Sequence, residues 1–296
     1  MRILISFALV AIVTLFPASV QAAAPRVLQA RSAWTVARSD ENCALVREFG
    51  DEGDLRLQIA SFGPSTSFSF LISGKLVPYT SDPTTWIGLA YSGDTAARDK
   101  FEVNRGRLGS ATFVSFPARF FPAPDQVDPA LRAPGEKTPE QRAAIQRLAT
   151  EFADRTTHIT VDFGRGPLQL ETGSMAQPLA DLRACVDGLI AGWGVDPASY
   201  RTESRGTSPL PDTMAKVWEV LSVTRVRREG AVYLAARVAV DEAGQPSQCV
   251  VQTRIVSETF DSRLCASLLG PYAPALDANG LPVSSLYFLT ISWSNR

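Results

Sequence analysis

The sequence predicts an α+β protein with two domains, and three observations carry that prediction. Short apolar runs that alternate with polar residues and end at Gly or Pro are typical of β-strands, and they occur in both halves of the chain. Other segments have apolar residues at helical spacing, which favours helices set apart from a mainly antiparallel sheet. Residues 197–211 are polar and have no apolar period, so we place a linker and the domain boundary there.

Residues 1–23 have the pattern of an export signal. Arg2 supplies a positive charge, an apolar run extends from Ile3 to Phe16, and Ala22 and Ala23 offer small residues for cleavage. The apolar run is shorter than the roughly 20 residues that a membrane-spanning helix needs. We therefore predict a cleaved signal peptide and an exported protein, with an uncleaved anchor as the alternative.

Composition narrows the class of protein. The chain after the signal has about 273 residues, more than a typical domain of roughly 150. A hydrophobic fraction of 45% allows buried cores, and a formal net charge of −1 gives no electrostatic footprint for nucleic acid or an anionic membrane. His158 is the only histidine and no Cys-x-x-Cys occurs, so we expect no metal and no cofactor.

The four cysteines are expected to form two disulfides, because exported proteins mature in an oxidising compartment. Four cysteines allow three pairings. Cys249 and Cys265 lie within one small unit of strand and helix, so we pair them with each other, which leaves Cys43 with Cys185. Four buried, reduced cysteines are the alternative.

The N-terminal domain, residues 24–196, is predicted to combine a mainly antiparallel sheet with two helices. Its predicted strands are Leu55–Ile59, Phe68–Ile72, Trp86–Tyr91, Ala111–Phe116, Thr157–Phe163 and Leu168–Leu170. Its predicted helices are Glu140–Asp154, which follows Pro139, and a second from Gln177 or Pro178 to Gly192 or Gly194. Cys185 lies on or beside the apolar stripe of the second helix, so a bridge to Cys43 would tie that helix to the sheet.

The C-terminal domain, residues 212–296, is predicted to follow the order helix, strand, strand, helix, strand. The predicted elements are a helix at Asp212–Val223, strands at Ala231–Val240 and from Ser247 to about Ile255, a helix from about Thr259 to Leu269, and a strand at Val283–Trp293. This order implies a three-stranded antiparallel sheet packed with helices.

Several landmarks accompany these elements. Asp241 and Gly244 close the first hairpin, and Phe260–Asp261 opens the second helix between Cys249 and Cys265. Before the last strand come Tyr272, Pro274, Ala275, Asp277, the turn Asn279–Gly280, Pro282 and Val283. With this order and these landmarks, residues from about 210 to 296 resemble the periplasmic C-terminal domain of TonB-type proteins. Residues 254–256 depart from the family's common Ser-Ser-Gly, which predicts a reshaped loop there.

In that family a sheet edge captures an extended peptide by strand addition, in which main-chain hydrogen bonds supply affinity. The resemblance implies a non-catalytic periplasmic protein that binds an envelope protein or peptide, in connection with TonB-dependent transport. The implied edge is the last strand, with Leu286, Tyr287, Phe288, Leu289, Ile291 and Trp293. The alternation of Tyr287, Leu289, Ile291 and Trp293 also fits the core face of a terminal strand.

Two alternatives stay open. The chain lacks the long Pro-rich spacer of a working energy transducer, so a transducer would have to use the uncleaved N-terminal segment as a short tether. Leu168 to Ser174 is similar to the hydrophobic-Asp-Thr-Gly-Ser segment of retroviral-type aspartic proteases, with Glu171 at the acid position. That chemistry needs two aspartates sharing a proton. An exported hydrolase using Glu171, or His158 as a general base, is the second alternative; a turn and helix start at Gly173 and Ser174 is the structural interpretation.

Overall fold

The protein combines helices with several mainly antiparallel sheets, which confirms the predicted α+β class. The computed structural model describes residues 24–79, 86–92, 100–123, 126–132, 137–223, 232–253 and 257–293. The predicted signal peptide, residues 1–23, and the predicted loop change at residues 254–256 lie outside the described residues. Within the described ranges, no helix combines the length and the hydropathy that crossing a membrane requires.

The N-terminal region is built mainly of strands. Its described strands are β1 (Arg26–Leu28), β2 (Thr35–Arg38), β3 (Cys43–Phe49), β4 (Leu55–Ser61), β5 (Ser67–Gly74), β6 (Trp86–Tyr91), β7 (Lys100–Glu102), β8 (Asn104–Leu108), β9 (Ala111–Arg119), β10 (His158–Asp162) and β11 (Pro167–Glu171). Its helices are α1 (Pro129–Arg132), α2 (Pro139–Arg155) and α3 (Ala176–Gly192). All eight predicted elements are present, and the helix α2 starts where Thr138 and Gln141 form a reciprocal capping box.

These strands form two sheets rather than the single sheet that we predicted. One has the order β2-β3-β4-β5-β9-β8 and is antiparallel throughout. The other has the order β1-β11-β10-β6-β7, in which only the β1–β11 pair is parallel. Both sheets and α3 contribute to one core, represented by Leu45, Phe70, Ile87, Leu170 and Leu189. The sheets therefore form a single N-terminal unit.

A disulfide joins Cys43, at the start of β3, to Cys185 on α3, as predicted. Cys43 is fully buried, so the bridge fastens the helix to the interior of the six-stranded sheet.

The C-terminal region follows the predicted order of elements. It contains α5 (Pro211–Val223), β13 (Val232–Val240), β14 (Pro246–Val251), α6 (Glu258–Leu268), β15 (Tyr272–Ala273), β16 (Ala275–Leu276), β17 (Pro282–Val283) and β18 (Ser285–Trp293). Three of these strands form an antiparallel sheet in the order β14-β13-β18. One face of this sheet packs on α5 and α6 through Val217, Leu234, Phe260, Leu264 and Leu289. The predicted Cys249–Cys265 disulfide joins β14 to α6.

The stretch that we predicted as a linker has regular structure of its own. Residues 197–211 contain a short helix, α4 (Pro197–Thr202), and the strand β12 (Ser208–Pro209), which pairs with β15. Between them, Ser204 and Arg205 both bond to Leu276 through backbone groups. The lack of an apolar period therefore did not reveal this regular structure, because the order of the stretch comes from partners that are distant in the sequence.

The N-terminal region covers the second face of the C-terminal sheet. Leu286 is part of the N-terminal core, and Phe288 packs against it. The Phe288 ring contacts Trp193 and Tyr200 at centroid distances of 6.0 and 6.3 Å. A Cβ at Gly63 would stand 2.7 Å from that ring, so this position requires glycine for the close approach. The C-terminal sheet is thus a middle layer between the N-terminal region and the helices α5 and α6.

Candidate functional site

The outer edge of β18 is the strongest candidate for a binding site. β18 is the last strand in the order of the described three-stranded sheet, and it pairs with β13 along all nine of its residues. A strand of that length spans about 30 Å. Residues 285–293 contain no charged residue, proline or glycine. Proteins usually protect exposed edges with charges, proline or bulges. β18 has none of these, and no further strand of the described residues pairs with its outer edge.

The register identifies the backbone groups that point outward. The carbonyl of Ala235 accepts a hydrogen bond from the amide of Gln252, 2.8 Å away, so the backbone of Ala235 points toward the β14 side. In an antiparallel ladder the direction alternates with each residue. Ala236 therefore points toward β18, and its partner Leu289 points back. By the same alternation, the N–H and C=O groups of Phe288 and Thr290 point away from the sheet.

The side chains of β18 are divided between two buried faces. Tyr287, Leu289 and Ile291 belong to the core with α5 and α6, so the core-face interpretation is confirmed for these three. Of Trp293, only the backbone is described. Because Leu286 and Phe288 are covered by the N-terminal region, a partner would meet the edge rather than a face of this sheet.

A buried carboxylic acid holds the start of β18. Ser285 lies 2.5 Å from a carboxylate oxygen of Glu203, whose residue is 4% exposed. Burial raises the pKa of Glu203 to about 7, while the bond to Ser285 and the charge of Arg142 act in the opposite direction. Arg142 also donates to the backbone carbonyl of Glu203. This cluster joins α2, the end of α4 and the first residue of β18.

An ion pair joins the middle of the same sheet to the N-terminal region. Arg237 on β13 is 2% exposed and donates to both carboxylate oxygens of Glu41, at 3.1 and 3.3 Å. Its guanidinium lies 4.3 Å from the ring centroid of Trp193 and also donates to Gln248. Gln252 adds bonds to the backbone carbonyls of Glu41 and of Phe62. These contacts fix the orientation of the sheet that carries the β18 edge.

The predicted TonB-like landmarks at Asp277, Asn279 and Gly280 form a turn just before β18. One carboxylate oxygen of Asp277 accepts from the amides of Asn279 and Leu281, both at 2.8 Å. Backbone hydrogen bonds, the largest from Leu281, lower the pKa of Asp277. Gly280 has φ +80°, as the turn requires. Asp241 makes the same pair of bonds, to Ala243 and Gln245, in the turn after β13.

The remaining landmarks are also structural. Leu276 in β16 pairs with Pro282 in β17, and Ala275 is fully buried beside it. The carbonyl of Pro274 accepts from Arg205. Asp261 lies in the first turn of α6 as predicted, but the cap is Ser257, which accepts from the amide of Phe260.

The two residues considered for hydrolysis lie opposite each other. His158 and Glu171 are register partners in β10 and β11. Glu171 accepts from Gln169, 2.6 Å away, and no hydrogen bond joins the His158 and Glu171 side chains in the described structure. Gly173 has φ +62°, and Ser174 accepts from Ala176 just before α3, which confirms the turn and helix start. Across the described ranges, no group of three or more His, Cys, Asp or Glu is placed to hold a metal ion.

Sequence reasoning missed two residues that bear on this edge. Arg237 interrupts an apolar strand, and that interruption was the available sign of a buried polar contact. Trp218 is 54% exposed on α5, and no comparable sign marks it in the sequence, because Val217 and Leu221 near it are apolar.

Comparison of the chain with protein-family models, with curated proteins and with solved structures finds no significant match. The resemblance to the TonB C-terminal domain therefore stays a prediction. The fold and the edge define an α+β protein with one open, uncharged strand edge in the described part of its C-terminal sheet.

Proposed function

We propose that this chain is a non-catalytic periplasmic protein that binds an extended peptide or protein segment of the cell envelope by strand addition at the outer edge of β18. The observation that carries the proposal is the nine-residue edge strand, which has no charge, proline or glycine and has outward backbone groups at Phe288 and Thr290. Each outward N–H and C=O can bond to an added strand, which gives affinity without a particular partner sequence.

The two disulfides support export, because such bonds persist in oxidising compartments. The export pattern of residues 1–23 is the reason for proposing the periplasm. The TonB-like landmarks are the reason for proposing a connection with TonB-dependent transport. The N-terminal region would serve as a support, since it covers one face of the sheet and leaves the edge of β18 as the route for a partner.

The test compares two substitutions at Thr290. Thr290→Pro removes an outward N–H, and proline is tolerated where the amide of an edge strand faces solvent. Thr290→Val keeps that N–H. Both variants lack the hydroxyl that contacts Tyr233, so they differ only in the amide and in the proline ring at the edge. A library of random nonapeptides displayed on phage is selected against each protein.

We expect peptides to be selected by the wild type and by Thr290→Val, and the affinity of Thr290→Pro for them to fall at least tenfold. The reason is the loss of a main-chain hydrogen bond together with the bulk of the ring at the edge. If the wild type selects no peptide, or if Thr290→Pro binds as well as Thr290→Val, the proposal is wrong.

The pairing of His158 with Glu171 favours one alternative, an exported hydrolase. Its test is the activity of Glu171→Gln and His158→Ala on peptide, ester and glycoside substrates. Equal activity in both variants and the wild type, or none in any of them, excludes it.

A further inference from the structure

Helix α5 packs over the face of the C-terminal sheet to which Tyr287 of β18 belongs, and its contacts define which side of the helix is turned to β18. Thr213 faces the segment after α6: its hydroxyl donates to the carbonyl of Pro271, and a Cβ at Gly270 would lie 2.4 Å from that hydroxyl. Met214 instead reaches β18, where its sulfur lies 4.0 Å from the hydroxyl of Tyr287. Trp218 follows Met214 by one turn, so it extends from the side of α5 that is turned to β18.

This side of α5 is exposed and uncharged. Pro211, Ala215, Trp218 and Ser222 follow one another at helical spacing, and all four are exposed. We call these four residues the α5 flank. The charged residues of the helix, Asp212, Lys216 and Glu219, occupy a different stripe. An exposed indole on an uncharged flank is a typical anchor for a protein partner, because tryptophan is enriched at the centres of interfaces.

A strand added to β18 would present its side chains alternately to the two sides of the sheet. Every second side chain would face the α5 flank, whose four residues carry no charge that could pair with a buried charge of the partner. The others would lie on the side of Thr290, whose side chain is exposed and polar. The two sides of the sheet therefore favour different side chains in the partner, uncharged ones toward α5 and polar ones toward Thr290.

We infer that the partner is an extended peptide with uncharged apolar side chains at every second position, one of them packed against Trp218. This inference rests on the proposed function, since it assumes that β18 receives an added strand. It adds the chemistry of the peptide and makes Trp218 a residue that determines specificity.

The test uses the best nonapeptide from the library selected by the wild type, synthesised with a fluorophore and measured by anisotropy. Trp218→Ala is compared with Leu281→Ala, which removes a side chain of similar exposure, 61%, from the turn before β18. Trp218→Phe tests rescue by another ring. Alanine scanning of the peptide shows which positions contribute.

We expect Trp218→Ala to weaken binding about tenfold or more, Trp218→Phe to recover most of it, and Leu281→Ala to leave it within about twofold. The sensitive peptide positions should alternate, be apolar, and lose their sensitivity in Trp218→Ala. If Thr290→Pro abolishes binding while Trp218→Ala does not change it, strand addition stands and this inference is wrong. Charged residues at the sensitive positions would also overturn it.

A second copy of the chain is the competing occupant of the edge. Sedimentation of the wild type over a range of concentrations, with and without the nonapeptide, distinguishes self-association from peptide binding. A stable dimer that the peptide does not dissociate would show that the edge and the α5 flank serve self-association, and would overturn the inference.

Discussion

Replacing Arg237 with methionine removes the ion pair that joins the C-terminal sheet to the N-terminal region, while it keeps most of the apolar stem. The charged end of Arg237 bonds to Glu41 and lies over Trp193, and the side chain is 2% exposed. Breaking a fully buried pair costs roughly 3–5 kcal/mol. Since Glu41 is 27% exposed and can regain water, we expect a loss of about 2–4 kcal/mol in the free energy of unfolding.

The assay is urea unfolding followed by tryptophan fluorescence, to which Trp193 contributes at the contact itself. Arg201→Met is the control, because the Arg201–Asp187 pair is 55% and 31% exposed, and such pairs contribute at most about 1 kcal/mol. A double-mutant cycle with Glu41→Gln should give a coupling of about 1–3 kcal/mol. If Arg237→Met costs no more than Arg201→Met, Arg237 does not hold the two regions together.

Two further predictions concern Glu203 and the turn glycines. Because the folded protein raises the pKa of Glu203 from 4.5 to about 7, it binds a proton that the unfolded chain releases, and stability falls as pH rises between these values. Glu203→Gln should remove this slope and raise the free energy of unfolding at pH 8 by about 1–3 kcal/mol; an unchanged slope in urea titrations from pH 5 to 8 would contradict it. Gly244→Ala places a Cβ 2.3 Å from the carbonyl of Tyr272, whereas Gly280→Ala, at a similar φ, has no atom within 4 Å. Thermal melts should show that the free energy of unfolding falls by about 2–4 kcal/mol in Gly244→Ala and by about 1 kcal/mol in Gly280→Ala. Equal losses in the two variants would refute the contact with Tyr272.

Local sequence patterns predicted the helices and strands that are defined by their own residues and by the turns beside them. The strand Trp86–Tyr91 agrees with the prediction at both ends, since turn residues and alternation define it without reference to the rest of the chain. The regular structure within residues 197–211 was not predicted. Glu203, Ser204 and Arg205 become ordered through partners that are about 70 or more positions away in sequence.

β18 was predicted as a strand, but its surroundings were not. The alternation of Tyr287, Leu289 and Ile291 indicated one buried face, yet Leu286 and Phe288 between them are apolar too. An unbroken apolar run indicates burial on both faces of a sheet. The identity of the second covering layer depends on how the N-terminal region packs, and no periodicity within β18 contains that information.

The most direct test of strand addition is residue-resolved amide hydrogen exchange by NMR, with and without the selected nonapeptide. In the free protein, the amides of Tyr287 and Leu289 should be protected by β13, whereas those of Phe288 and Thr290 should exchange fast. Addition of the peptide should protect Phe288 and Thr290. If these two amides are already protected in the free protein, or if the bound peptide leaves their exchange unchanged, the outer edge of β18 is not the binding site.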